Sequence, residues 1–402
     1  MDSLHPKDPI DYVAVRRYRL ARVQDQLRKR DLAAAVLFDP HNLRYATGSR
    51  NMAVWTLHNH VRYAFVPAEG LPVLFEFGAG KWPVASQSLE NPAEIRPPRS
   101  WTHFYSGSEK QAHAAAWAAE LADLARASGG GNRRIAFDHL NPIGLRAIEA
   151  LGFEVADGEA LMEHARLIKS AEEIACIRRA VAVAEEGMRR MRETLRPGVT
   201  ENALWAILNQ TNAEMDGEWL ETRLLSSGPR TNPWMQEASF RTVEAGDLVA
   251  FDTDMIGPNG YCADISRTYF CGPGRPSDEQ KRLYAASHAQ IEHNLALMNP
   301  GRTLREVIEN ESHFPEAYLP YRYGFAHGVG LKDEFPFLRN AADLDQQNDP
   351  EMRLEPGMVF SMESYIGEAG GRDGVKLEEQ ILITERGPER LSTFPFEPAL
   401  LA

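Results

Sequence analysis

Cysteine is scarce in this chain of 402 residues: Cys176, Cys262 and Cys271 form no Cys-x-x-Cys pair, and an odd count makes a poor disulfide framework. Each thiol reads as a small buried hydrophobe. Long apolar runs are missing too. No window approaches the ~18 continuous apolar residues of a membrane span. The opening MDSLHPKDPIDYVAVRRYRL lacks the apolar core and small-residue cleavage site of a secretory signal. Positive charge is in deficit, with a formal net charge of −13, so nucleic acid or an anionic membrane would be repelled. These absences predict a cytoplasmic protein with neither a nucleic-acid nor a membrane partner, and do not specify a substrate.

What is present is ordinary globular material, 43% hydrophobic and 25% charged, in a length that suits two domains. Apolar runs at 33–38, 64–67, 72–77 and 134–138 predict strands, and the stretches 16–30 and 111–127 predict helices. That alternation predicts an α/β domain over residues 1–165. A second domain, 166–402, opens on a long helix at Ser170-x-x-Glu173, which has capping-box spacing. Pro197-Gly198 stops this helix and Thr200 opens another. The device returns a hundred residues on, with Ser277-x-x-Gln280, Pro300-Gly301 and Thr303-x-x-Glu306. After each helix pair an apolar run carries a carboxylate six residues past a glycine: Gly246 to Asp252, and Gly357 to Glu363. The matching order predicts an internal duplication, hence an α+β domain of two similar halves about a pseudo-two-fold axis.

The carboxylates are the chemistry-bearing feature. Asp252 and Asp254 lie two apart, on the same face of a regular strand. Asn259-Gly260 predicts a hairpin turn that brings Asp264 back beside them. Glu363 and Glu378 repeat the arrangement in the second half. Buried carboxylates cost several kcal/mol each unless paired or metal-bound. No comparably placed cluster of Arg or Lys is visible, Arg267 and Lys376 being the nearest in sequence. Two divalent ions bridged by Asp264 and Glu378 would satisfy the set, with His327, in a glycine-rich HGVG segment, as the imidazole ligand. One imidazole among oxygens suits iron, manganese, cobalt or zinc.

FDTDMIGPNGYCADISRT, HGVG, LEPGMVFSMES and GVKLEEQILIT resemble, in order, the ligand motifs of the creatinase/prolidase/aminopeptidase P clan. The junction RLIKSAEEIACIRRA resembles the start of that clan's pita-bread domain. The resemblance spans nearly the whole chain and implies a creatinase-like N-terminal domain before a pita-bread catalytic domain. Two departures separate it from the peptidases. Their second histidine, in an HExP segment, is replaced by Lys332-Asp333-Glu334-Phe335-Pro336, and another substrate-facing histidine is replaced by Trp234 after Pro233. GEWLETRLLSSGPRTNPWMQE, YGFAHGVGLKDEFP and RNMAVWTLHN instead resemble the dimethylsulfoniopropionate lyase branch, DddP. That branch's extra aspartate ligand matches the FDTD pair, and its catalytic tyrosine and aspartate match Tyr323 and Asp333. Tyr323 stands four residues before His327, where the branch has five.

The lyase resemblance implies β-elimination on a small-molecule substrate, a carboxylate-bearing onium compound, with iron as the first choice of metal and Asp333 as the base. Trp234 and, from the N-terminal domain, Trp55 offer cation–π faces to an onium group. In this clan one subunit's N-terminal domain often covers its partner's site. That implies a homodimer in which Trp55 and His58 act across the interface. The rival readings are an Xaa-Pro metallopeptidase, a creatinase-like C–N hydrolase working without metal, and a binding module without catalysis.

Overall fold

The alternating runs of the first part fold into one mixed sheet flanked by helices. The computed structural model describes residues 10–81, 83–84, 86, 89, 94–313, 317–318 and 324–401. The chain divides into two units, Met1–Arg166 and Leu167–Ala402. In the first, elements run α1 (Tyr12–Lys29), β1 (Ala34–Leu37), α2 (Pro40–Thr47), α3 (Ala53–Thr56), β2 (Tyr63–Pro67), β3 (Val73–Phe75), β4 (Glu94–Arg96) and α4 (His103–Ser106). There follow α5 (Lys110–Gly129), β5 (Arg134–Phe137), α6 (Pro142–Glu149), β6 (Glu154–Asp157) and α7 (Gly158–Arg166). The sheet order is β4-β3-β2-β1-β5-β6, with β1, β5 and β6 parallel. An inner strand covered on both faces is apolar at every position, and β1 is buried throughout. Trp117, Ala118 and Leu121 of α5 share a core with Val36, Phe65 and Ile135 of the sheet.

The second unit begins with α8 (Ala171–Thr194) and α9 (Glu201–Glu214), then β7 (Trp219–Leu220), β8 (Leu225–Ser227), β9 (Leu248–Asp252), β10 (Met255–Ile256), β11 (Cys262–Ala263) and β12 (Ser266–Phe270). Its second half supplies α10 (Asp278–Leu297), α11 (Leu304–Ile308), β13 (Ala326–Val329), β14 (Asp333–Leu338), β15 (Val359–Gly367), β16 (Gly374–Thr384), β17 (Gly387–Arg390) and α12 (Pro398–Leu401). Capping boxes at Ser170, Ser277 and Thr303 are formed with both reciprocal hydrogen bonds. Helix, Pro-Gly stop, helix and carboxylate-bearing strand thus occur twice in the same order, although Asp252 ends β9 whereas Glu363 stands in the middle of β15. The repeats are unequal: α11 has 5 residues where α9 has 14.

Three sheets result, ordered β12-β9-β8, β14-β13-β15-β16-β17 and the small β11-β10-β7. The first two abut along β12 and β16. There the Thr268 hydroxyl donates to the Lys376 carbonyl at 2.8 Å and accepts the Lys376 N–H at 3.1 Å. α10 covers the five-stranded sheet, its Leu283, Tyr284 and Ile291 sharing a core with Phe360, Met362 and Leu377. No helix among the described residues is long and apolar enough to cross a membrane.

Candidate metal centre

Strand pleating decides which side chains meet. Glu363 of β15 stands directly opposite Glu378 of β16, with Ser361 opposite Gln380 on one side and Tyr365 opposite Lys376 on the other. His327 of β13 is opposite Ser361. Directly paired residues and those two apart share a face. One face of the sheet therefore carries His327, Glu363, Glu378 and Lys376 together.

The first repeat delivers its carboxylates differently from the expected regular strand. β9 ends at Asp252, and Asp254 has a φ of 35°, so the backbone turns between them. Aspartate tolerates this left-handed region better than most residues. The predicted Asn-Gly hairpin is present, Asn259 and Gly260 having φ of 63° and 72° between the paired β10 and β11. Thr253, buried between the two aspartates, donates its hydroxyl to the Ala263 carbonyl at 2.8 Å and accepts the Ile265 N–H at 3.0 Å. Gln380 holds the same segment from the other sheet, accepting the Asp264 N–H at 3.1 Å and donating to the Cys262 carbonyl at 3.2 Å. Asp264 is fixed by these grips on its backbone, leaving its carboxylate to point inward.

Two triads result. Asp264, His327 and Glu378 offer one donor atom each within 4.8 Å of one another, and so do Asp252, Asp254 and Asp264. His327 Nε2 is 3.3 Å from Glu363, 3.4 Å from Asp264 and 3.8 Å from Glu378. Its Nδ1 lies 2.9 Å from the Gly328 carbonyl, a contact that places the ring proton there and frees Nε2 as a ligand. Among the described residues, Asp264 Oδ1 and Glu378 Oε1 are buried acceptors without a hydrogen-bond donor. Such atoms demand a cation, and the donor set, carboxylates with one imidazole, fits a pair of divalent transition ions.

The electrostatics agree. Burial, helped by the Asp252 charge, pushes the Asp264 carboxyl up to about 8. Burial and the neighbouring Asp252 and Asp264 raise Glu378 and Asp254 well above the usual carboxylate range. Burial opposes ionisation of Glu363 as well, but Lys376 and His327 outweigh it and hold Glu363 at about 2. His327, although buried, is raised well above an ordinary histidine by Asp264 and Glu363. Without a cation the raised groups, Asp264, Glu378, Asp254 and His327, hold protons that metal binding would release, whereas Glu363 is already ionised.

One cation is already resident. Lys376, 1% exposed, hydrogen-bonds Glu363, lies 3.2 Å from Glu378 and 3.5 Å from Asp252. Of the two cations nearest in sequence, Lys376 is the one that enters the cluster, its position two residues before Glu378 placing it on the same face. Arg267 points elsewhere, pairing with Glu379 at 2.5 Å over the Phe396 ring. Glu378, 1% exposed on an inner strand, is no solvated edge residue. Removing one partner of a buried ionic set costs ~3–5 kcal/mol. Lys376→Met is therefore expected to unfold at clearly lower denaturant than wild type when both are metal-free, with divalent ion restoring most of the difference. Equal metal-free midpoints would mean the ammonium is dispensable.

The remaining candidates are scattered. Asp333 opens β14 with its side chain 65% exposed and Oδ1 3.7 Å from His327 Nδ1. Desolvation by the surrounding wall and then the charges of Glu363 and Asp252 raise its pKa, with His327 opposing; its exposure keeps that rise moderate. Trp234 follows the turn Gly228–Thr231 and stacks on Tyr365, centroids 6.1 Å apart. The Tyr365 hydroxyl, 3.0 Å from the Thr231 carbonyl, lies over the Gly367–Gly374 pair, where an added Cβ would come within 2.6 and 2.4 Å of it. Tyr365 was not anticipated, though its place two residues after Glu363 puts it on the same face. Trp55 and His58 are exposed residues of the first unit, Trp55 with its ring 5.6 Å from Phe77. Tyr323 lies outside the described residues.

Comparison with known proteins matches residues 175–385 to metallopeptidase family M24 and residues 19–168 to the creatinase/prolidase N-terminal domain. The chain is 38% identical over 399 residues to the dimethylsulfoniopropionate lyase DddP of Roseovarius nubinhibens, covering 97% of this chain and 88% of that one. It is also 38% identical over 400 residues to the enzyme of the same name from Roseobacter denitrificans, with the same coverage. The chain belongs to metallopeptidase family M24, in the branch of those two relatives. Among solved structures, the prolidase of Pyrococcus horikoshii superposes with a TM-score of 0.74 at 21% identity, covering 94% of this chain and 99% of that one. An M24 pita-bread domain behind a creatinase-type N-terminal domain is thus the architecture, as the motifs implied. Its acidic and histidine cluster stands where the two repeats of the M24 domain meet.

Proposed function

We propose that this chain is a metal-dependent lyase cleaving dimethylsulfoniopropionate to acrylate and dimethyl sulfide by β-elimination. The observation that carries the reading is the Asp333 carboxylate 3.7 Å from His327, at the edge of the acidic cluster, in a chain 38% identical over nearly its whole length to two lyases of that name. Asp252, Asp254, Asp264, His327, Glu363 and Glu378 would hold two divalent ions, Asp264 and Glu378 bridging them, with iron first and manganese, cobalt or zinc as alternatives. When bound, the ions supply Lewis-acid stabilisation of charge building on the substrate carboxylate. Asp333, raised above a free aspartate yet accessible, takes the α-proton. The C–H electron pair becomes the C=C bond of acrylate. The Cβ–S bond breaks with its pair going to sulfur, and dimethyl sulfide leaves neutral.

Trp234, backed by Tyr365, is suited to face the sulfonium, an interaction worth ~0.5–2 kcal/mol. Tyr323 is the second proposed catalytic residue, orienting the substrate beside Asp333. Residues 1–165 are taken as the creatinase-like domain and 166–402 as the catalytic one. We further propose a cytoplasmic homodimer whose N-terminal domain covers the partner's site with Trp55 and His58. Exposed Met52, Val54, Trp55 and Leu57, between 36% and 50% accessible, support that use of the segment.

Proton NMR of the iron- or manganese-loaded protein with dimethylsulfoniopropionate tests the reaction. Stoichiometric acrylate and dimethyl sulfide are expected. No product at high enzyme concentration, with hydrolysis of Xaa-Pro dipeptides in parallel samples, would instead establish a peptidase.

A further inference from the structure

Asp333 and Glu334 are neighbours at the start of β14 and so face opposite ways. Asp333 looks outward beside His327, whereas the Glu334 side chain is 1% exposed. Behind the strand Glu334 meets the ammonium of Lys169, itself 3% exposed, at 2.8 Å, and accepts the Leu331 N–H at 3.1 Å. Lys169 is anchored in turn, its N–H donating to the Gly357 carbonyl at 2.9 Å, just ahead of the strand that bears Glu363. Gly330 makes room for this arrangement: a Cβ there would lie 2.5 and 2.6 Å from the two Glu334 oxygens. The Gly330 carbonyl accepts the Cys262 N–H at 2.7 Å, two residues from Asp264.

The strand needs such an anchor. On β13 His327 pairs with Phe337 while the next residue, Gly328, pairs with Glu334, so Phe335 and Pro336 are left over. A bulge of this kind bends the strand and re-aims its side chains, setting Asp333 and Glu334 apart from the rest of β14. Val329 pairs with Asp333 and Gly328 with Glu334, but beyond the bulge that pairing is only two residues long, and a grip from behind the strand adds to it. A buried ion pair is weak grounds for added stability, since an apolar pair of similar volume often does as well, but it does fix register.

We infer that the Lys169–Glu334 ion pair is a positioning device for Asp333, gripping β14 from behind and setting the aim of the carboxylate on its front face. The inference rests on the reading of Asp333 as the base. A displacement of about 1 Å at a reacting group can cost on the order of 10²-fold.

The test uses metal-loaded, full-length Lys169→Met, Lys169→Arg and Glu334→Gln, with Asp333→Asn and the Lys169→Met/Asp333→Asn double variant. For Lys169→Met, kcat on dimethylsulfoniopropionate is expected to fall on the order of 10–100-fold, with KM within about threefold and metal content at the wild-type level. Lys169→Arg should recover most of the loss. The double variant should be no slower than Asp333→Asn alone, because positioning an absent base has no effect. A crystal structure gives a readout independent of turnover: the Asp333–His327 separation, 3.7 Å here, should widen in Lys169→Met. If that variant does not fold, Glu334→Gln, which keeps shape and loses charge, carries the same comparison. Unchanged kcat and separation beside a lowered Tm would overturn the inference and leave the pair purely structural. Full turnover by Asp333→Asn would instead sink the base, whatever Lys169 does.

Discussion

Asp264→Asn is expected to bind fewer than two metal ions and to turn over on the order of 10³-fold more slowly, yet to be more stable than wild type when metal-free. Asp264 belongs to both triads, so its loss weakens both positions at once. Asparagine offers one neutral oxygen where a carboxylate offers two oxygens sharing a negative charge. Deleting a single preorganised electrostatic group in an active site typically costs ~10²–10³-fold, and this change also removes a ligand. Its effect on the metal-free protein has the opposite sign. The folded-state pKa of Asp264, about 8, lies above the ordinary 3.8, so the folded protein binds a proton there that the unfolded chain releases. Linkage then makes metal-free wild type lose stability as pH rises from about 4 toward 8. The asparagine variant lacks that contribution and should show a shallower decline. Metal per protein after dialysis, and metal-free denaturation at pH 5 and pH 8, check the two halves. A variant that keeps two ions would refute the place of Asp264 in both metal sets, and a metal-free variant less stable than wild type at pH 8 would refute the raised carboxyl.

Asp333→Asn should leave metal content intact and lower kcat by ~10²–10⁴-fold, the usual contribution of a general base. Asp333 is in neither triad, and its side chain is 65% exposed, so folding should change by less than about 0.5 kcal/mol. The substitution keeps shape and hydrogen-bonding reach while removing the ability to accept the proton. A loss confined to KM would mean the residue only binds substrate. Turnover within threefold of wild type would move the base elsewhere. Together the variants separate two roles: Asp264→Asn lowers metal and rate together, Asp333→Asn rate alone.

The clustered acidic residues and histidine were legible because each marks a conflict visible in one dimension: a carboxylate at the end of an apolar run, or a histidine among glycines. Repetition of Gly246–Asp252 by Gly357–Glu363 strengthened the signal, and the capping boxes announced the helices that frame it. What escaped was set by pairing between distant segments. Lys376 looked unremarkable until β15 and β16 set it opposite Tyr365, beside the facing Glu363 and Glu378. Thr253 carries no chemistry of its own; its part is to bind the backbone on either side of Asp264. Lys169 and Glu334 are 165 positions apart, and nothing local in either points to the other. Asp254 does lie beside Asp252 and Asp264, but a turn at positive φ, not the expected regular strand, brings it there.

Sharing the centre between two repeats also imposes an order on its assembly. Asp252, Asp254 and Asp264 emerge in the first repeat, while His327, Glu363 and Glu378 follow in the second, and the Ser266–Glu378 hydrogen bond that joins the sides spans 112 positions. Contacts of such separation form late. A growing chain that has finished only the first repeat offers oxygen donors alone, a set suited to magnesium or calcium. The imidazole that favours a transition ion arrives only once the second repeat docks. Discrimination between metals at such a site would thus be a property of the completed domain rather than of either repeat alone.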